Sequence, residues 1–431
     1  MRAWTMRWLA FGLCLLAACG GGTDETKAHV RLVNASGGYS ALSLTIDDTA
    51  VASSVAYGAT ASYGDVDKGA TDAELSQPGG ATSLVGSTVA LGKNKYFTML
   101  AYGKSGSAAM QLIDDNQDTP ASGKTLVRVI NAAPDAGNLD VYLTSSATAL
   151  ADATAFQSAA AYGTLNGFVT TTSGTWRLRV TAAGSKSDLR LDVSGLSFGS
   201  EGVVTVVVTP GRGGVLVNAL LLAQQGGITA AANTQARVRV VAGVSSGASV
   251  SASIGGTTLM TSGTAPSLTA YSLLTSGTLT VAASASGTAA ALTSATVAGG
   301  GDYTLLVYGT PGAPVATLIE DDNSLPTDTT GAKLRLVHGL ADVTGTLSLG
   351  VDYEVTADAV AQGAASAYAA VAASTTAYFT ATSAGSTTAL LDDHPTGTST
   401  GTARSLLAGG VYTFFVVGDS GSPVGILRKD R

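Results

Sequence analysis

The same three landmarks recur four times along this chain, in the same order each time. Val30-Arg31-Leu32-Val33-Asn34-Ala35 returns as Val127-Arg128-Val129-Ile130-Asn131-Ala132, as Val238-Arg239-Val240-Val241-Ala242-Gly243 and as Leu334-Arg335-Leu336-Val337-His338-Gly339. A tyrosine follows each opening: Tyr63-Gly64-Asp65-Val66, Tyr162-Gly163-Thr164-Leu165, Tyr271-Ser272-Leu273-Leu274 and Tyr368-Ala369-Ala370-Val371. An apolar run then closes each unit: Phe97-Thr98-Met99-Leu100-Ala101, Val204-Thr205-Val206-Val207-Val208, Tyr303-Thr304-Leu305-Leu306-Val307 and Tyr412-Thr413-Phe414-Phe415-Val416. Such periodicity marks tandem domains of about 95 to 110 residues. The expected boundaries are 29–118, 124–226, 234–324 and 332–431.

Each unit reads as β structure. Gly, Ala, Ser, Thr and Val dominate, short β-branched runs alternate with Gly, Ser and Asn clusters, and helix-period stripes are scarce. A repeat of this length suits one β-sandwich of about seven strands, large enough to bury its own core. The expectation is therefore an all-β chain of four tandem immunoglobulin-like sandwiches. A transmembrane barrel fits poorly, because aromatic girdles are missing and the chain closes on Arg428-Lys429-Asp430-Arg431. Within each opening strand the Arg alternates with Val or Leu, so its side chain is expected on the solvent face, in a structural role. The central tyrosines are expected as corner or core residues, and Trp176 as a core residue.

In the second repeat, Val127 to Thr144 reads VRVINAAPDAGNLDVYLT. An Arg-bearing strand, Asn131, the Pro134-Asp135 turn and the Asp140-Val141-Tyr142 strand resemble the opening of the bacterial domain-of-unknown-function 4397 family. The first and third repeats lack the Pro-Asp turn, and only the fourth keeps the family's His, as His338. The resemblance implies an immunoglobulin-like sandwich in an exported, often lipid-anchored protein, and no established activity.

Arg2 and Arg7 precede the short apolar run Leu9 to Leu16, which is too short to span a bilayer. Residues 1–18 are read as a signal peptide. Leu16-Ala17-Ala18-Cys19 resembles the lipobox of bacterial lipoproteins, which implies acylation of Cys19 as the mature N-terminus. Residues 19–28, with Gly20-Gly21-Gly22, read as a lipid-anchored flexible tether. Gly20 after the cysteine implies the outer membrane, by the same resemblance. Loss of the leader removes Cys14, so no disulfide forms within the mature chain. With a formal charge of −7, nucleic acid is not an expected partner.

Chemistry is sparse. Gly418-Asp419-Ser420-Gly421 spells the nucleophile motif of chymotrypsin-like proteases, yet sister repeats place Ser105, Arg212 or Pro311 at the position of Ser420. It is read as a hairpin turn. Gly195-Leu196-Ser197-Phe198-Gly199 imitates a hydrolase elbow, but a strand follows where that elbow needs a helix, so Ser197 is expected in a loop. Only His29, His338 and His394 exist, and no catalytic activity is expected. Acidic clusters close the first and third repeats: Asp114, Asp115, Asn116 and Asp118, and Glu320, Asp321, Asp322 and Asn323. Calcium takes about six to eight oxygen ligands, so these residues are the candidates for calcium stiffening two junctions. The competing reading is solvated turns. The junction between the second and third repeats, Gln224 to Asn233, carries no acid and is expected to hinge. The functional expectation is a lipid-anchored outer-membrane protein that binds an unknown protein or glycan, or acts as a spacer. The alternative is a periplasm-facing scaffold. Set end to end, four sandwiches would reach about 150 Å.

Overall fold

The computed structural model describes residues 25–80, 82–245, 247–395 and 401–431. Residues 1–18, read above as a signal peptide, and Cys19 lie outside them. Among the described residues the fold is all β, with a single short 3-10 turn at Leu150–Asp152.

The first repeat sets the pattern. Ala28–Asn34 lies between Gly64–Val66, antiparallel, and Tyr96–Lys104, parallel, and Tyr96–Lys104 turns back into Ser107–Asp114. A facing sheet orders Thr49–Ala56, Ala41–Ile46, Gly69–Ser76 and Ser83–Leu91. Parallel neighbours need a crossover, and here the strands of the facing sheet supply it. The same parallel pair recurs as Lys124–Asn131 with Gly202–Pro210, Gln235–Ala242 with Asp302–Thr310, and Gly331–Leu340 with Val411–Asp419. Four hydrophobic cores form between facing sheets, one in each repeat.

Alternation explains the facing sheet: Ala41–Ile46 turns Leu42, Leu44 and Ile46 inward. The opening strand behaves differently, since Ala28–Asn34 is buried along its whole length. Val30 and Leu32 pack into the sandwich's own core, while Val33 points outward into a second core. That second core joins Val33, Leu100, Tyr102 and Ile113 to Ile130, Val207 and Leu220 of the next repeat. Val241, Leu306 and Tyr308 meet Val337, Phe415 and Val417 in the same way. The sandwiches therefore pair sheet to sheet, first with second and third with fourth. The third and fourth sandwiches approach closely: a Cβ on Gly243 would stand 3.0 Å from Val417 Cγ1, and one on Gly339 would stand 3.2 Å from Leu306 Cδ1. Ala35 and Ala132 hold the matching positions of the first pair.

This packing decides one arrangement that the sequence leaves open and corrects one expectation. End-to-end stacking is replaced by lateral pairing, because the outward face of each parallel-strand sheet is apolar and must be covered. The junction between the second and third repeats is tied rather than free. Asn233 Nδ2 donates to the carbonyls of Arg190 and Val217 at 2.6 and 3.0 Å, and Gly213 N donates to Gly300 O at 2.7 Å. Farther contacts join the pairs: Lys104 Nζ reaches Asp135 Oδ1 and the Leu325 carbonyl, both at 3.0 Å.

Candidate functional site

Four polar centres lie where the sandwiches meet, each built around the opening Arg of a repeat. The parallel register sets Arg31 beside Thr98, Arg128 beside Thr205, Arg239 beside Thr304 and Arg335 beside Thr413. Each guanidinium Nε donates to its threonine hydroxyl, at 2.7, 3.0, 2.9 and 3.1 Å. An aromatic ring lies against each guanidinium: Tyr63 at 4.8 Å, Phe168 at 4.3 Å, Tyr271 at 4.7 Å and Tyr368 at 4.9 Å.

The distal nitrogens cross to the partner sandwich. Arg31 donates to the carbonyls of Gly226 and Ala223, and Arg128 Nη2 returns the contact at the carbonyl of Asp114, 3.2 Å away. In the second pair Arg239 donates to Asp430, and Arg335 donates to Asp321 and to the Glu320 carbonyl at 3.0 Å. Each pair thus exchanges arginines reciprocally, in an approximate twofold arrangement. Arg31, Arg239 and Arg335 are buried and Arg128 is half-buried. The solvent-face expectation is corrected here: alternation does turn these side chains away from their own core, but another sandwich covers that face.

Carboxylates complete three of the centres. Asp115 accepts from Tyr63 Oη at 2.7 Å and from Thr98, and Asp321 accepts from Tyr271 Oη and Thr304 Oγ1 at 2.6 Å each. Asp430 accepts from Thr413 Oγ1 at 2.6 Å. Burial alone would push the Asp321 carboxyl up. The guanidinium groups of Arg335 and Arg239, with the two hydroxyl donors, outweigh it and hold the carboxyl below its ordinary range. Charge pairing in turn raises the Arg335 and Arg239 guanidinium groups above theirs against the opposing effect of burial.

The second repeat departs from this plan. Val169 pairs with Val127, which sets Phe168 beside Arg128, and Val204 pairs with Ala223, which sets Gln224 where the others have Asp. Tyr162 is not the counterpart of Tyr63. It bridges to Asn131, and its ring packs edge-on against Tyr102 at 5.6 Å, across the pair. The similarity of Tyr162-Gly163 to Tyr63-Gly64 misleads; the usable signal is the joint replacement of Tyr by Phe and Asp by Gln. Burial holds the Arg128 guanidinium below its ordinary value, against the smaller opposing pull of Asp115 and Asp114.

The calcium candidates do not converge. Asp115, Asp321 and Asn323 are buried, Asp115 and Asp321 against guanidinium and hydroxyl groups, and Asn323 donates to Asp302 at 2.8 Å. Asp114 accepts from the Asn116 backbone at 2.9 Å, Glu320 pairs with Arg212 at 2.5 Å and Asp322 with Lys333 at 2.9 Å. Asp118 lines a cleft together with Asn116 and Gln117. Among the described residues no group of three or more His, Cys, Asp or Glu side chains is placed to hold a metal ion. Arginine occupies the position expected for the cation.

Ser420 caps a turn: its backbone N and Oγ donate to Asp342 at 2.7 and 2.5 Å. Ser197 lies exposed within the strand Ser185–Phe198 rather than in a loop. His29 pairs with Asp65 at 2.7 Å and His394 with Asp392 at 2.8 Å, while His338 is buried and meets the Gly345 carbonyl at 3.2 Å. Trp176 is half-buried against the core of the second sandwich, with Nε1 donating to the Thr172 carbonyl at 3.1 Å. Between the first and second sandwiches opens a cleft of ≈ 940 Å³, lined by Asn116, Gln117, Gln224 and Gln225 beside Leu196 and Leu221.

A chain of paired β-sandwiches locked by reciprocal arginines is the class that these features define. It belongs to the domain of unknown function family DUF4397, whose model matches residues 28–142 and 236–346. Each match covers one sandwich and continues into the opening strands of the next, so it includes both arginines of a pair. No curated protein matches the chain. Among solved structures it is similar to a product complex of SpuA, a multi-modular glycogen-degrading pneumococcal virulence factor, at 10% identity and a TM-score of 0.16, over 85% of this chain and 38% of that one. It is also similar to the Bacillus anthracis TIE protein, at 7% identity and a TM-score of 0.14, over 87% of this chain and 65% of that one. The chain spans less than two thirds of either protein, and at these scores neither likeness bears on its fold or activity.

Proposed function

We propose that the chain is a lipid-anchored protein of the bacterial outer membrane, attached through Cys19, that works without catalysis as a binding, adhesion or spacer module for a protein or glycan. The observation that carries this reading is the use made of its charged groups. Buried Arg239 and Arg335 face Asp430 and Asp321 across the interface of the third and fourth sandwiches, where they fix the body instead of opening into a cleft. A stiff body on a short tether, which ends before Ala28 because that residue already belongs to the buried opening strand, suits presentation of a surface. Two or three acyl chains, at about 0.8 kcal/mol per buried methylene, would hold it firmly. Protease added to intact cells, with Cys19→Ala as the anchor control, tests the reading. Digestion on intact cells and release of the Cys19→Ala chain are expected. Protection until the outer membrane is opened would favour the periplasmic scaffold instead.

A further inference from the structure

Among the described residues, the tip of the fourth sandwich carries an aromatic column that its sister repeats lack. The hairpin between Leu347–Val351 and Glu354–Val360 turns through Asp352 and Tyr353, both at positive φ, 49° and 72°. In the first and third repeats the matching turns are Asp47-Asp48 and Gly255-Gly256. Short polar residues or glycine suit a left-handed turn, and a bulky ring is the outlier there. Tyr353 is nevertheless 82% exposed, and its ring stacks on His394 at 4.0 Å with planes 24° apart. His394 stacks in turn on Tyr378, at 5.3 Å and 26°.

The supports of the column are fixed. His394 is buried, with Nδ1 on Asp392 at 2.8 Å, and Arg404 pairs with the adjacent Asp393 at 2.6 Å. Asp352 and Tyr378 exchange hydrogen bonds of 2.9 Å each, from Asp352 N to the Tyr378 carbonyl and from Tyr378 N to Asp352 Oδ1. One face of the Tyr353 ring is thus taken by His394 while the other is open to water. The exposed chain neighbours of Tyr353, Asp352 and Glu354, bring two carboxylates to the same turn.

We propose that the open face of Tyr353, backed by His394 and Tyr378, is a platform on which one ring of a glycan stacks. Shape decides the ligand class. A cation binds best inside a desolvated aromatic cage, and a single exposed ring holds it weakly. A pyranose lays a flat face of weakly positive C–H bonds over the whole negative face of the tyrosine. Its hydroxyls then meet the carboxylates of Asp352 and Glu354. The inference rests on the reading of the chain as a binding module and is independent of its anchoring.

The test is titration of the full chain with cellotriose, maltotriose and chitotriose, with choline and trilysine as cationic probes, followed by ring-proton NMR. At least one triose is expected to bind, shifting the Tyr353 and His394 resonances. Tyr353→Ala should weaken it at least tenfold, Tyr353→Trp should retain it, and Tyr57→Ala, at an exposed ring in the first repeat, should leave it unchanged. No binding by any triose, or equal binding by Tyr353→Ala, would overturn the platform. Binding of choline or trilysine alone, abolished by salt, would overturn the sugar assignment. Sugar binding that survives Tyr353→Ala would leave the chain a binding module with its site elsewhere.

Discussion

The guanidinium of Arg335, on the opening strand of the fourth sandwich, donates to Asp321, the last strand residue of the third, and both side chains are almost wholly buried. Arg239 repeats the relation in reverse, toward Asp430. An isolated charge at such a place would be costly, so the two sandwiches are stable in contact and poorly stable apart. Removing one partner, as in Arg335→Met, should cost up to about 3–5 kcal/mol in urea unfolding, because buried Asp321 keeps only the more distant Arg239, at 3.7 Å, and two hydroxyl donors. Arg335→Met combined with Asp321→Asn should cost clearly less than the two single changes added together. Simple additivity would show that the charges do not interact.

Acid should loosen the third and fourth sandwiches in two steps. His338 is held below its ordinary value by burial, against the smaller opposing effect of the Gly345 and Val343 carbonyls. The unfolded chain therefore binds more protons than the folded one below about pH 6.5, and stability falls as pH drops through that region. His338→Asn, which installs the residue found at the matching Asn34 and Asn131, should flatten the unfolding midpoint between about pH 6.5 and 5. The depressed Asp321 carboxyl acts later. Its stabilisation is complete above about pH 4 and is lost as pH falls through its lower folded value. A midpoint that stays constant in the wild type from pH 7 to 5 would contradict the first step.

In the second repeat the Tyr–Asp pair is replaced by Phe168 and Gln224, and the two positions should be coupled. Phe168→Tyr alone introduces a hydroxyl with no carboxylate to accept from it, at a cost of about 1 kcal/mol. Gln224→Asp alone breaks the exchange of hydrogen bonds with Gln117, at 3.0 and 2.8 Å. Together they recreate the centre seen around Asp115, with a favourable coupling of about 1–2 kcal/mol in a double-mutant cycle. A coupling near zero would mean that the ring and the acid are independent.

Tyr353→Gly should leave stability within about 1 kcal/mol of wild type. Relief of the left-handed tyrosine, about 1–2 kcal/mol, is offset by glycine entropy and by the lost ring stack. A large destabilisation in thermal unfolding would give Tyr353 a structural role and weaken its assignment as a platform.

The repeats, their β character and the outward direction of Arg31, Arg239 and Arg335 were all legible in the residues, since alternation along a strand reports which sheet face a side chain occupies. What covers that face was not, because alternation treats water and a neighbouring sandwich alike. The apolar outward residues Val33, Ile130, Val241 and Val337 were the available clue. The acidic clusters fall at the ends of the strands Ser107–Asp114 and Ala313–Asp321, but their partners lie on other strands and in other repeats, beyond any local motif. Phe168 was hidden by the decoy Tyr162-Gly163, and strand register resolves it. The column at Tyr353 joins a hairpin to a loop some forty residues on, a proximity that only the fold creates.

Lateral pairing is tested most directly by small-angle X-ray scattering of the full chain. Paired sandwiches with contacts between the pairs should give a radius of gyration below about 30 Å, the scaling for a compact body of this length being about 22 Å. Four sandwiches strung end to end over about 150 Å would give more than about 40 Å, and that value would contradict the reciprocal arginine interfaces.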